Sequence, residues 1–319
     1  MRAVQFHSLG GPEVLQLLEI PTPIPEPHEQ LIAVAKAGVN FADLLRIAGR
    51  HGTKVLPQTI GAEIVGRVVG TNERVVALLP NGGACAQFVV AEKALSFAIP
   101  NDVPDEAALA LFEQGLTAYF VLQHCARLLP GESVAIHAAA GGVGSLAIQI
   151  AAAMSAGRII AIASSEKKRA LARELGAHVA IDGKADGLTE RLIDANHGQP
   201  IDVVLEMVGG AVFSASQASL APFGRIVVYG SASDEAQQID MDRLQESNIA
   251  VVGFWIAPLL RSQKARLAAA LDSVFDLWRH GQIKPMIGGT YALKNAVQAY
   301  QQLAARESFG KLIIDPTLP

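Results

Sequence analysis

Thiols are almost missing from this chain. Two cysteines, Cys85 and Cys125, among 319 residues exclude a disulfide framework and a four-thiolate zinc site. Basic residues are not in excess either. The 26 Lys and Arg against 30 Asp and Glu give a formal net charge of −4, which offers no basic stripe to a nucleic acid. Met1 to Ile20 lacks the charged-then-apolar layout of a signal peptide. A reducing, cytoplasmic setting is therefore expected. The stretch from Val134 to Gly157 carries no charge, but Gly141, Gly142, Gly144, His137, Gln149 and two serines argue against a membrane span.

What the chain does have is length for two domains and one organising stretch, SVAIHAAAGGVGSLAIQIAAAMSAG, from Ser133 to Gly157. An apolar run around Val134 and Ile136 reads as a buried strand. Gly141, Gly142 and Gly144 follow, and then Leu146, Ile150, Ala153 and Met154 recur at helical spacing. Strand, glycine turn and helix together are the setting in which a glycine cluster binds a dinucleotide. Small residues let the backbone approach the pyrophosphate, and the helix offers unpaired N–H groups and the positive end of its dipole. The three places of the strict G-x-G-x-x-G pattern fall on Ala139, Gly141 and Gly144. Ala139 fits the tight turn if its φ is negative. An ordinary glycine-rich turn is the competing reading.

Met1 to Ile99 is β-rich: AVQF, LQLLEI, QLIAVAKAGV, EIVGRVVG, ERVVALL and AQFVV are short β-type runs broken by turn residues, as in a small barrel or sandwich. Pro21 to Glu29 carries four prolines and reads as a connecting arm. Asn40 to Ile47 is helix-like and leads into a polar loop, Ala48 to Lys54. Glu106 to Leu122 predicts a helix started by Pro104 and Asp105. Strands and helices then alternate through SVAIHA, RIIAIA, HVAI, DVVLEMVG and RIVVYG, which implies right-handed βαβ units and a parallel sheet. Ile249 to Trp255 reads as its last strand; an apolar edge there invites self-pairing in a homodimer. Arg261 to His280 predicts one amphipathic helix. MIGGTYAL, a helix to Leu303 and GKLII resume the β-rich style. The expected architecture is α/β: a Rossmann-type doubly wound parallel sheet, residues 113–282, inserted into a β-rich domain of residues 1–112 and 283–319.

AGVNFADLLRIAGRH (Ala37 to His51), IGAEIVGRVVG (Ile60 to Gly70), FEQGLTAYFVL (Phe112 to Leu122), HAAAGGVG (His137 to Gly144), GRIVVYG (Gly224 to Gly230) and FGKLII (Phe309 to Ile314) span nearly the whole chain. In this order they resemble the medium-chain dehydrogenase/reductase superfamily, and within it the zinc-free quinone oxidoreductase, or zeta-crystallin-like, branch. HAAAGGVG is the glycine motif of that branch. The resemblance implies a GroES-like catalytic domain around the Rossmann domain. It also implies a reductase of quinones or α,β-unsaturated carbonyls that uses NADPH. Zinc members carry Cys and His where this chain has Asn40 and Ala62, so no metal is expected.

The same resemblance assigns residues. Ala140, Gly141, Gly142, Val143 and Gly144 cradle the pyrophosphate. Ser164, Ser165 and Lys168 face the 2′-phosphate, although lysines on a helix also serve as a solvated face. Glu166, about twenty residues past the last glycine, is the counter-indication, because an acid there favours a free 2′-hydroxyl. A family tyrosine near the next strand end is replaced by Gly183. Gly230 and Arg306 complete the cofactor set. Asn40 is placed beside the nicotinamide as an amide donor, or else supports the turn after Gly38. Thr117 opens the same cofactor site, or bonds back to a helical carbonyl. For the proton donor, relatives offer tyrosines where this chain has Leu45 and His51; His51 is the candidate acid, or a solvated loop residue. Substrate selection is expected from Phe41, the segment Arg46 to Lys54, and Phe254 to Leu260. Two other readings remain: an enoyl-thioester reductase, and a non-catalytic nucleotide-binding protein.

Overall fold

The computed structural model describes residues 1–51, 55–233 and 235–319. Gly52 to Lys54, part of the loop expected to select substrate, lie outside the described residues. The chain divides into two compact units. One comprises Met1–Glu113, Leu260–Ala268 and Pro285–Pro319; the other comprises Gln114–Leu259 and Ala269–Lys284. Leu260–Ala268 thus groups with the first unit, whereas the sequence places it in the second.

In the first unit, β1 (Arg2–Phe6), β2 (Gln16–Glu19) and β4 (Gln58–Thr59) form a three-stranded sheet. The larger sheet is built on β3 (Glu29–Val39), which pairs antiparallel with β5 (Glu63–Val68), β7 (Phe88–Glu92) and β16 (Lys311–Asp315). It continues through β6 (Arg74–Leu78) to β8 (Ser96–Ala98) on one side and to β15 (Ile287–Ala292) on the other. The pairing of β16 with β3 is the physical meaning of the insertion: Leu312 lies opposite Val39, 273 positions earlier in a chain of 319. Phe6, Ile32, Ile47, Ile60, Ile64, Tyr300 and Ile314 are all fully buried in its core.

In the second unit, β9 (Ser133–Ile136), β10 (Arg158–Ile162), β11 (Val179–Ile181), β12 (Ile201–Glu206), β13 (Leu220–Val228) and β14 (Ala250–Gly253) form one sheet, parallel throughout. Its order is β11-β10-β9-β12-β13-β14, with the strand order reversing beside β9. In open parallel sheets ligands bind beyond the carboxyl ends of the strands at such a reversal. The reading of β14 as the last strand holds, since it forms one edge of the sheet.

Two helices differ from expectation. The helix predicted over Glu106 to Leu122 starts at Asp105 and runs to Ala126, with π-helical turns at Leu111–Gly115 and Phe120–Ala126 around a short α segment, Leu116–Tyr119. Apolar periodicity does not reveal a π turn, because one inserted residue shifts the register without changing composition. The helix expected from Arg261 to His280 is two, Ile256–Ser262 and Lys264–Arg279, the second burying Leu267 and Leu271. Among the described residues no helix is long and apolar enough to cross a membrane.

Candidate active site

In the first unit, buried polar side chains gather at one end of three neighbouring strands. Leu312 faces Val39 and Ala37 faces Ile64, so Lys311, Asn40 and Glu63, each one residue further along, meet there. The Lys311 ammonium donates to Glu63 Oε1 and, at 2.6 Å, to Asn40 Oδ1. Asn40 Nδ2 donates to Glu63 Oε1 at 2.9 Å and to Glu113 Oε2. Glu63 is 0% and Lys311 2% exposed. Two charges so far from water hold only if they neutralise each other through good geometry.

Gly38 makes room for this pair. A Cβ there would stand 2.3 Å from Glu63 Oε1 and 2.6 Å from Lys311 Nζ.

A second branch continues through the helix Phe41–Ile47. Asp43 Oδ2 accepts the Asn40 backbone N–H at 3.0 Å and the Tyr300 hydroxyl at 3.1 Å. Cys85 Sγ lies 3.6 Å from Tyr300 Oη, and burial pushes its thiol up to about 12, leaving an inert thiol. Burial also raises Asp43, against its hydrogen bonds and the charges of Arg46 and Lys311, to about 6. A carboxyl whose folded pKa exceeds its unfolded value binds its proton more tightly when folded, so its contribution to stability is lost as pH rises. Between about pH 4 and 7 the wild type should therefore lose roughly 3 kcal/mol on this account, and Asp43→Asn should flatten that slope. Urea unfolding of both proteins across this range checks it; equal slopes would show that Asp43 is not the group responsible.

In the second unit the turn after β9 carries the strain. Ala138, at φ +49°, adopts the left-handed conformation, and Ala139, which the motif made suspect, does not. Gly141 precedes the helix Gly142–Ala153, and Gly141, Gly142 and Val143 stay half-buried, with backbone open to a ligand. Gly144 is needed for close packing: a Cβ there would meet Ala138 O at 2.4 Å and Ala139 Cα at 2.7 Å. Just past β10, Ser165 caps the helix Glu166–Glu174 by accepting the Lys168 N–H at 3.3 Å. Glu166 turns onto its own helix, bonded by Arg169 at 3.0 Å and Arg173 at 2.5 Å. Glu206 closes β12 by accepting the N–H groups of Val208 and Gly209.

The structure therefore brings Ala140 to Gly144, Ser164, Ser165, Lys168 and Gly230 to the carboxyl ends of one parallel sheet. Thr117 lies in the same unit, buried in the α segment between two π turns, a distortion frequent at functional sites. Asn40, His51 and Arg306 belong to the first unit. Two expectations change. The Asn40 amide assigned to a ligand is already engaged by two carboxyl groups and an ammonium. His51, half-buried, has its pKa lowered by burial and then by Arg46, which favours the neutral imidazole. Glu63, Glu113, Lys311, Asp43 and Tyr300 were not singled out from sequence. The available signal was a charged residue placed directly before an apolar run, as in the EIV of EIVGRV and the KLII of KLIID.

Comparison with known proteins agrees with both halves. Residues 26–101 match the alcohol dehydrogenase GroES-like domain, and residues 142–274 match the zinc-binding dehydrogenase family. A quinone oxidoreductase of Pseudomonas aeruginosa is 30% identical over 325 residues, covering 99% of this chain and 99% of that protein. The chain belongs to the medium-chain dehydrogenase/reductase superfamily, in its quinone oxidoreductase branch. The crystal structure of Escherichia coli quinone oxidoreductase complexed with NADPH aligns with a TM-score of 0.92 at 28% identity, covering 99% of this chain and 100% of that one. A mycocerosic acid synthase-like polyketide synthase of Mycobacterium tuberculosis is 32% identical over 324 residues, which are 98% of this chain and 15% of that protein. Among the described residues no group of three His, Cys, Asp or Glu is disposed to hold a metal ion.

Proposed function

We propose that the chain is an NADPH-dependent, zinc-independent reductase of quinones or α,β-unsaturated carbonyls, acting in the cytoplasm. The observation that carries the cofactor is the pairing of the Ala140–Gly144 turn with a neutralised Glu166. The turn presents open backbone at a helix N-terminus, as a pyrophosphate requires. Glu166, the acid that would hold a free ribose hydroxyl, is engaged by Arg169 and Arg173, and Ser164, Ser165 and Lys168 lie beside it past the end of β10, where a 2′-phosphate would sit. Arg306 and Gly230 belong to this reading as further cofactor contacts.

Bound there, NADPH supplies a hydride. The residues that hold it are those of the turn and of the β10 end, with Thr117 beside the nicotinamide. The residues around Asn40 do not suit a catalytic zinc: an amide donates both its hydrogens, and an ammonium stands beside it. Without a Lewis acid, an acceptor that spreads its new charge by conjugation is the better substrate. The free edge of β14 is the surface on which this reading pairs two copies.

The similarity to a polyketide synthase favours a second reading, an enoyl-thioester reductase. NADPH oxidation followed at 340 nm with a quinone panel, an enone panel and a crotonyl thioester decides between them; binding without oxidation by any acceptor removes both. Lys168→Ala should weaken NADPH about 10- to 100-fold, the worth of one charge-assisted hydrogen bond, and leave NADH unchanged. Fluorescence titration of both nucleotides measures this, and an equal loss for the two would remove Lys168 from the phosphate.

A further inference from the structure

Three carboxyl groups share the polar cluster of the first unit, and they are not equivalent. Glu63 and Asp43 are sealed from solvent at 0% exposure, whereas Glu113 is half-buried and keeps some of its surface open. Glu113 sits in the π turn Leu111–Gly115, which rotates it off the register of the preceding α-helical run. Its Oε2 accepts from Asn40 Nδ2, the same nitrogen that donates to Glu63 Oε1. Two carboxyl groups therefore converge on one amide.

The charges do not balance unless one carboxyl is protonated. Lys311 is bonded to Glu63 and to Asn40 Oδ1, so its charge offsets Glu63. Arg46 acts on Asp43. Glu113 faces Glu63 and Asp43 as anions and Lys311 as the shared cation. Burial first, and then the charge of Glu63, hold its carboxyl well above the usual range.

We propose that Glu113 is the proton donor of this reductase: the carboxyl group that delivers the proton consumed alongside the hydride, then recovers it from water. This rests on the function proposed above, and it fills the role that a neutral His51 leaves open. Once hydride has been delivered, a conjugated acceptor is an enolate or a hydroquinone anion. The Glu113 O–H bond breaks, and its proton bonds to that anion. The electron pair stays on the Glu113 carboxylate, which takes a proton from solvent through its open face. Burial and the neighbouring Glu63 carboxylate keep Glu113 from ionising early.

Glu113→Gln separates this role from a structural one. Glutamine has the shape of the protonated acid; its carbonyl can still accept from Asn40 and its amide can donate to Glu63, yet it has no proton to release. With an enone, kcat should fall about 10²- to 10⁴-fold, the usual worth of a general acid. NADPH affinity and thermal stability should stay near wild type. The wild-type kcat should decline as pH rises through the Glu113 pKa, and the variant should lose that limb; Glu113→Asp should restore part of the rate. Infrared difference spectra of the nucleotide-free proteins at pH 7 should show a protonated-carboxyl band that Glu113→Gln removes. A Gln variant within threefold of wild-type kcat with the alkaline limb intact overturns the proposal, as does absence of the band. Failure of the wild type to oxidise NADPH with any acceptor instead overturns the reductase reading and the donor with it.

Discussion

Lys311→Met is expected to lower the stability of the protein by about 3 to 5 kcal/mol, the cost of leaving a buried charge without its partner. Glu63 is 0% exposed and would keep its bond to Asn40 after losing its ion pair with Lys311. Adding Glu63→Gln should return most of the loss, because replacing both partners removes the uncompensated charge. Urea unfolding of the single and double variants measures this. A single-variant loss below about 1 kcal/mol would mean that water or another cation already serves Glu63.

Gly144→Ala should weaken NADPH binding about a hundredfold, which corresponds to losing roughly 2.7 kcal/mol of backbone contacts to the pyrophosphate. The new methyl group would stand 2.4 Å from Ala138 O and 2.7 Å from Ala139 Cα, both of them backbone atoms. Neither can yield without moving the turn, and Ala138 is already in the left-handed region. Gly253→Ala is the control, since a Cβ there meets open space. Nucleotide titration and thermal melting of the two variants decide the matter. Equal affinities would separate the turn from nucleotide binding.

Local signals carried most of the fold. Periodicity over residues 133–253 gave the parallel sheet because buried parallel strands are short apolar runs set between helices. The return of β-type runs after residue 283 gave the insertion. Residues 111–126 were misread in detail because a π turn is a matter of hydrogen-bond register, which composition does not record. The site was legible in unequal parts. The residues at the β9 and β10 ends, proposed to hold the phosphates, could be picked out because they follow one another in the chain. The Asn40 cluster was not, because Asn40, Glu63, Glu113 and Lys311 meet only through pairings that span as many as 271 positions. Each looked like an isolated polar residue beside an apolar run.

That long pairing has a consequence for synthesis. The parallel sheet of the second unit is complete by Gly253, whereas the first unit lacks β16 until Lys311 to Asp315 emerge. A chain made from its N-terminus can fold the inserted unit while Glu63 still waits without a cation. The polar cluster then assembles last, and the arrival of Lys311 both closes the sheet beside β3 and makes its buried carboxylates tolerable.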